Sequence, residues 1–220
     1  YLTAMACLVP YLDDFMIKTI LWDFDGVILN SMKIKGDGFK ELFKDYDIKK
    51  IKLIEEYHYE NGGVSRFEKI KYFYTEIIKK NINEDKVLKL AGRFANIIEN
   101  KIYDKNNLIE ETVFFIKANY KNYSFHIVSG AEHGELNSIC DSFKLTKYFK
   151  TINGSPRKKD VLVENVINTY NYKKEEVILI GDAMTDYNAS IINNIEFYGY
   201  NNIDLKVYKN YIEDFKVFKL

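Results

Sequence analysis

The apolar positions of this chain follow two regimes. Between residues 36 and 103 they recur at helical spacing, with no convincing strand among them. Phe67, Ile70, Phe73-Tyr74 and Ile77-Ile78, for example, share one face of the stretch 65–80. The spacing predicts helices over 36–46, 48–59, 65–80 and 83–103, the last opened by Asn81-Ile-Asn-Glu84 as cap and acidic first turn. Outside that region the apolar residues come in short runs: 19–24 around Ile20-Leu21-Trp22, then 124–128, 177–180 and 195–198, with a weaker run at 150–153. Helical stretches over 108–120, 131–143, 159–170 and 183–192 stand before or between the later runs. Strands alternating with helices predict a parallel sheet covered on both faces.

The first strand is therefore cut off from its sheet partners by about seventy helical residues. The expected organisation is an α/β core, residues 16–30 and 105–220, with a helical cap over 31–104 inserted after the first strand. Residues 1–15 read as an extension and a possible non-native one, because Met16-Ile-Lys-Thr-Ile resembles a natural start just before that strand.

Composition narrows the class. A chain of 220 residues can bury one sizeable core with a smaller insertion. Lys plus Arg equals Asp plus Glu at 32 each, so no net field recommends a nucleic acid or a membrane surface as partner. Cys7 and Cys140 fit no metal-ligand spacing, and the expectation is a reducing, cytoplasmic setting.

Candidate chemistry collects at strand ends. Asp23-Phe24-Asp25-Gly26 closes the first run, Ser129-Gly130 closes the second, and Gly181-Asp182 closes Val177-Ile-Leu-Ile180. Lys158 and Lys159 follow the turn Gly154-Ser-Pro156. Singly, each has an ordinary explanation: a turn, a helix cap, a solvated lysine pair. An EF-hand loop is excluded, because Val27 is apolar where a ligand is required and Gly26 comes too early. In an open parallel sheet, ligands sit beyond the carboxyl ends of the strands, and these residues converge there. Two carboxylates two residues apart can divide a phosphoryl transfer, one attacking phosphorus and the other managing the leaving group's proton.

Order and spacing resemble the haloacid dehalogenase superfamily of phosphohydrolases. Asp23-Phe-Asp25-Gly-Val is similar to its first motif, Ser129 to its second, Lys158 or Lys159 to its third, and Gly181-Asp-Ala-Met-Thr-Asp186 to its fourth. The resemblance, over about 20–198, implies a Rossmann-like core with a helical cap of the phosphoglycolate phosphatase and β-phosphoglucomutase branch. It implies Asp23 as nucleophile, Asp25 as acid and base, and Ser129 with the Gly130 amide as phosphate donors. Lys158, slightly favoured over Lys159, would supply the positive charge. Mg²⁺ would be held by Asp23, Asp182 and the main-chain carbonyl of Asp25, with Asp186 in support. Gly63-Val-Ser-Arg66 is similar to a cap segment of β-phosphoglucomutase whose arginine grips a distal phosphate. Tyr57, His58 and His133 are weaker substrate-side candidates. In the mutase a histidine stands where this chain has Lys35, which favours hydrolysis over mutation.

The leading expectation is a Mg²⁺-dependent phosphatase acting on a small phosphorylated metabolite, such as a sugar phosphate or a phosphoglycolate-like acid, through an aspartyl-phosphate. A sugar phosphomutase is the alternative. A phosphoacceptor module is disfavoured by motif order, and a catalytically dead binding protein by the complete set of acids.

Overall fold

The computed structural model describes residues 16–220; the expected extension, Cys7 included, lies outside them. Six parallel strands form one sheet in the order β3-β2-β1-β4-β5-β6. They are β1 Thr19–Trp22, β2 Ser124–Glu132, β3 Thr151–Ser155, β4 Val177–Gly181, β5 Glu196–Tyr200 and β6 Tyr211–Ile212. β1 sits between β2 and β4, with Ile20 in register with Phe125 and Ile178, and all four of its residues are buried. This is why the run reads as continuously apolar: a central parallel strand faces protein on both sides.

Alternation along the strands divides the core into two layers. Ile20, Trp22, Phe125, Ile127, Ile178 and Ile180 face α5 (Glu110–Asn119) and α6 (His133–Ser142). Leu21, Val128 and Leu179 face α7 (Lys159–Tyr170) and α8 (Met184–Asn193). Trp22, fully buried, meets Phe125 edge-on at 5.5 Å between centroids and is covered by Phe215 near the C-terminus.

The four helices between β1 and α5 are α1 Met32–Leu42, α2 Ile48–Glu60, α3 Arg66–Tyr72 and α4 Glu84–Ile102. Val87, Leu90, Ala91, Phe94, Ile98 and Ile102 give α4 its apolar stripe, and α1 lies against it so closely that a Cβ on Gly38 would stand 2.6 Å from Ile98. Asn83 caps α4 as its sequence context requires, accepting the Lys86 amide at 3.0 Å. The expected single helix over 65–80 instead ends at Tyr72 and continues as a π-helical turn, Phe73–Ile77. The wider turn carries consecutive residues, Phe73 and Tyr74, into the core, and Phe73 stacks on Phe43 at 3.7 Å. Three other differences are smaller. α1 starts four residues earlier than its apolar spacing indicates, β2 continues past Val128 through a register shift to Glu132, and β6 is too short to register as a pattern. Among the described residues, no helix is long and apolar enough to cross a membrane.

Candidate active site at the carboxyl edge of the sheet

Asp23 leaves β1 with its amide still held by Ile180 O at 2.9 Å, and the chain then turns tightly, Phe24 O accepting the amides of Ile28 and Leu29. Gly26 makes the turn possible. Its φ is +79°, and a Cβ there would stand 1.9 Å from Asp182 Oδ2. The glycine of the first motif thus clears room for the acid of the fourth. Asp182 ends β4 at the neighbouring position, and Asp186 lies one turn into α8, fully buried. Oxygens of Asp23, Asp182 and Asp186 fall within 4.8 Å of one another.

Lys159 binds this cluster together. It is the first residue of α7, its Nζ is 2.8 Å from Asp23 Oδ1, and it donates a hydrogen bond to Asp186 Oδ1. Asp186 Oδ2 accepts the Ala183 amide at 3.1 Å, so this carboxylate is fully engaged. Lys158, preferred from the sequence, is the exposed N-cap of α7 and lines a surface groove of about 430 Å³ with Arg157 instead of meeting Asp23. Helix geometry decides between the two, since consecutive residues at a helix start point about a hundred degrees apart.

Asp25 occupies a second environment. Its Oδ1 accepts from Ser31 and its Oδ2 from Lys35, both on the side of the helical insertion. Lys35, noted in the sequence only for replacing a histidine, therefore stands directly on Asp25. Its companion Ser31 had no assigned role. Burial pushes the Asp25 carboxyl up, but Lys35 and the Ser31 hydroxyl outweigh it and hold the group below the usual carboxylate range. Asp23 behaves oppositely. Burial, reinforced by Asp186 and Asp25 against the opposing pull of Lys159, raises it to about 7. Burial, then Asp23 and Asp186, likewise push Asp182 well above its ordinary value. Lys159 stays charged: burial works against it, but Asp186 and Asp23 raise its pKa.

These shifts describe a cluster short of positive charge. Four acids face two lysines, and Asp23 Oδ2 is buried with no hydrogen-bond partner, while its Oδ1 meets Lys159. An oxygen-rich pocket with two uncompensated negative charges fits a hard divalent cation such as Mg²⁺. Asp23 and Asp182 carry the uncommitted oxygens; the Asp25 side chain is committed to Ser31 and Lys35, which leaves only its main-chain carbonyl for that purpose.

The remaining expected residues are distributed as follows. Ser129 is buried at the end of the regular part of β2, its Oγ accepting the Ala131 amide at 3.2 Å, which leaves its hydroxyl proton available. Gly130 is pressed against the insertion: a Cβ there would stand 1.9 Å from Gly63 O. Thr185 Oγ1 donates to Gly62 O at 2.8 Å, so the Gly62-Gly63 loop rests on the core from two sides. Arg66 is not the free anion receptor its motif suggests. Both guanidinium nitrogens pair with Glu135 of α6, and the group lies 5.0 Å over Phe94. His133 is exposed and accepts the Gly154 amide at 3.3 Å, a local contact below α6. Tyr57 stacks on Tyr72 at 3.5 Å. His58 is buried, its Nε2 at 2.9 Å from Met32 O and its Nδ1 at 2.9 Å from Lys69 Nζ. The first contact is to a carbonyl, so Nε2 carries the proton and Nδ1 accepts from the lysine. Sequence reasoning missed two asparagines as well. Asn201 Nδ2 donates to Gly26 O at 2.8 Å and Asn202 Nδ2 to Asp182 O at 2.7 Å, fixing both acid-bearing loops from beyond β5.

By sequence, no curated protein matches the chain. Solved structures do. The chain is similar to β-phosphoglucomutase from Clostridium difficile at 20% identity, covering 93% of this chain and 94% of that one with a TM-score of 0.69. It is also similar to a protein from Haemophilus somnus described as a predicted phosphoglycolate phosphatase, at 15% identity, with 90% and 95% covered and a TM-score of 0.69. At these identities the likeness concerns the fold. The model of the haloacid dehalogenase-like hydrolases matches residues 20–200, a span that contains every acid and lysine described above. The chain belongs to the haloacid dehalogenase-like hydrolase family.

Proposed function

We propose that this hydrolase is a Mg²⁺-dependent phosphatase of small phosphorylated metabolites, working through an aspartyl-phosphate on Asp23. The observation that carries this reading is the unequal treatment of two neighbouring carboxylates. Asp23 is buried with Oδ1 paired to Lys159 and Oδ2 left without a partner, and Asp25 is fixed by two donors at the mouth of a cavity under the insertion. A nucleophile needs free lone pairs, whereas an acid/base needs a fixed position.

In this reading an Asp23 oxygen attacks phosphorus while the bond from phosphorus to the leaving oxygen breaks. Asp25 gives that oxygen its proton. Water then attacks the acyl-phosphate, Asp25 takes the water's proton, and inorganic phosphate departs from a regenerated Asp23. Lys159, the Ser129 hydroxyl and the Gly130 amide supply positive charge and donors to the phosphoryl oxygens. Asp23, Asp182 and the Asp25 carbonyl would hold Mg²⁺, which when bound would neutralise charge that otherwise repels an anionic ester from an anionic nucleophile. Lys35 keeps Asp25 ionised in the resting site, which suits the base step and makes loading of a proton a separate requirement of the acid step. The Gly62-Gly63 loop seated on Gly130 and Thr185 would exclude bulk water during both steps.

The test is hydrolysis of p-nitrophenyl phosphate. Turnover is expected with Mg²⁺, loss is expected in EDTA, and Asp23→Asn should lower kcat by at least about a thousandfold. Full activity in EDTA or in Asp23→Asn would refute the reading. With a hexose phosphate as substrate, phosphorus NMR is expected to show inorganic phosphate; an isomeric sugar phosphate would indicate a mutase.

A further inference from the structure

Arg66 lines the small cavity between the insertion and Asp25, together with Lys35 and Lys69. Its position follows from the residues before it. Gly63, with φ +77°, turns the chain over the core, Ser65 caps α3 by accepting the Glu68 amide at 3.3 Å, and Arg66 is the first helical residue. A guanidinium is a planar fork suited to a carboxylate or a phosphate.

Here the protein itself fills the fork. Arg66 Nη1 donates to Glu135 Oε2 at 2.9 Å and Nη2 to Glu135 Oε1, with the two side chains only 6% and 11% exposed. Glu135 stands in the first turn of α6, where an acid ordinarily serves the helix dipole. That role is already taken by Glu132, the N-cap, which accepts the Gly134 and Glu135 amides at 3.0 and 2.7 Å. The Glu135 carboxylate instead crosses from the core to the insertion and takes the bidentate place that a phosphate would take. The other two cations offer no equivalent place. Lys35 is paired with Asp25. Lys69 is engaged by His58 Nδ1 at 2.9 Å, and burial with the Lys35 charge draws its pKa down to about 7. A second phosphate entering the cavity must therefore expel Glu135, leaving a buried carboxylate unpaired, or lie beside it and be repelled.

We propose that Glu135 is a specificity-determining residue that stands in for a substrate anion at Arg66, so that the site accepts phosphate monoesters whose leaving group carries no second phosphate. The inference rests on the phosphatase reading for the reaction, but its binding claim is separate. Discrimination is reached here by setting a repulsive group against the wrong ligand. Glu135 also opposes the mutase alternative. Moving a phosphoryl group from Asp23 to a second hydroxyl of a monophosphate forms a bisphosphate, the kind of ligand that this carboxylate repels.

Calorimetry on the Asp23→Asn protein with Mg²⁺ tests the claim without turnover. The ligands are ethyl, propyl and butyl phosphate, each set against the bisphosphate of the terminal diol of the same length. With Glu135 present, each bisphosphate is expected to bind about threefold or more weakly than its monophosphate, although it has two ends to offer. In Glu135→Gln, which keeps the shape of the side chain and removes its charge, at least one bisphosphate should bind about tenfold or more tightly than its monophosphate. Glu135→Ala, which also removes the acceptor, should show the same reversal. Adding Arg66→Met to Glu135→Gln should abolish the gain, and Glu164→Gln, at an exposed acid of α7, should leave the original ranking. Bisphosphates that bind as tightly as their monophosphates with Glu135 present would overturn the proposal, and that arm needs no change at Glu135. An unchanged ranking in both Glu135 variants, or a gain that survives Arg66→Met, would overturn it equally. If the ranking behaves as stated while the Asp23-containing enzyme hydrolyses none of the monoesters, the phosphatase reading fails and the role of Glu135 stands.

Discussion

The two sides of this site are organised by different physics. On the core side, Asp23, Asp182, Asp186 and Lys159 are set by the ends of parallel strands and the helices that follow them, and burial drives the pKa values of Asp23 and Asp182 up. On the insertion side, Asp25, Lys35, Lys69, His58 and Arg66 are set by helix packing, and there the cations are close to balanced or in excess. A negative half that lacks a cation thus faces a positive half that lacks an anion. In the proposed reaction an anionic ester carried in with a divalent metal would satisfy both.

The comparison can be broken most severely on the core side. Lys159→Met is expected to reduce kcat on p-nitrophenyl phosphate by about a hundred- to a thousandfold, the range for losing one preorganised charge donor. Lys158→Met, one residue away, should change it by less than about threefold, and the reverse ranking would return the role to Lys158.

A smaller effect is expected across the boundary. Lys35→Gln removes the main influence depressing Asp25, so its carboxyl should titrate at higher pH, followed by carbon NMR of labelled aspartate. If Lys35 serves only to hold a surface, the Asp25 titration will not move.

The smallest effect concerns stability without metal. The raised pKa of Asp23 means the folded state binds a proton that the unfolded chain has released between roughly pH 4 and 7, so stability should fall as pH rises through that window and stay low above it. Mg²⁺ binds the ionised cluster, and its stabilisation should therefore be larger at pH 8 than at pH 5, a difference of a few degrees in Tm by calorimetry. Equal Mg²⁺ shifts at both pH values would argue against metal binding by these acids.

Much of the core side was readable in advance because strand ends are marked locally. An apolar run closed by Asp23-Phe-Asp25-Gly26, Ser129-Gly130 or Gly181-Asp182 fixes where the chain emerges, and these ends converge by the rules of parallel sheets. Even there the lysine at Asp23 could not be read, since Lys158 and Lys159 are equivalent as text and are separated only by the direction each takes at the start of α7. The insertion side was far less legible. Arg66 matched a motif for an anion receptor yet is paired with Glu135, sixty-nine residues away in sequence. Lys69 gave no signal at all, since a lysine in an amphipathic helix ordinarily faces water.

The α/β alternation, the helical stretch after the first strand, and the four motif positions at one sheet edge follow from hydrophobic period and local turn chemistry and are legible in the chain alone. Folding in three dimensions settles which lysine meets Asp23, that Lys35 and Ser31 hold Asp25, that Arg66 pairs with Glu135, and that no acid among the described residues pairs with Lys69. Those outcomes depend on helix rotation and on partners distant in the chain, and charge balance in a buried site is a property of neighbours in space.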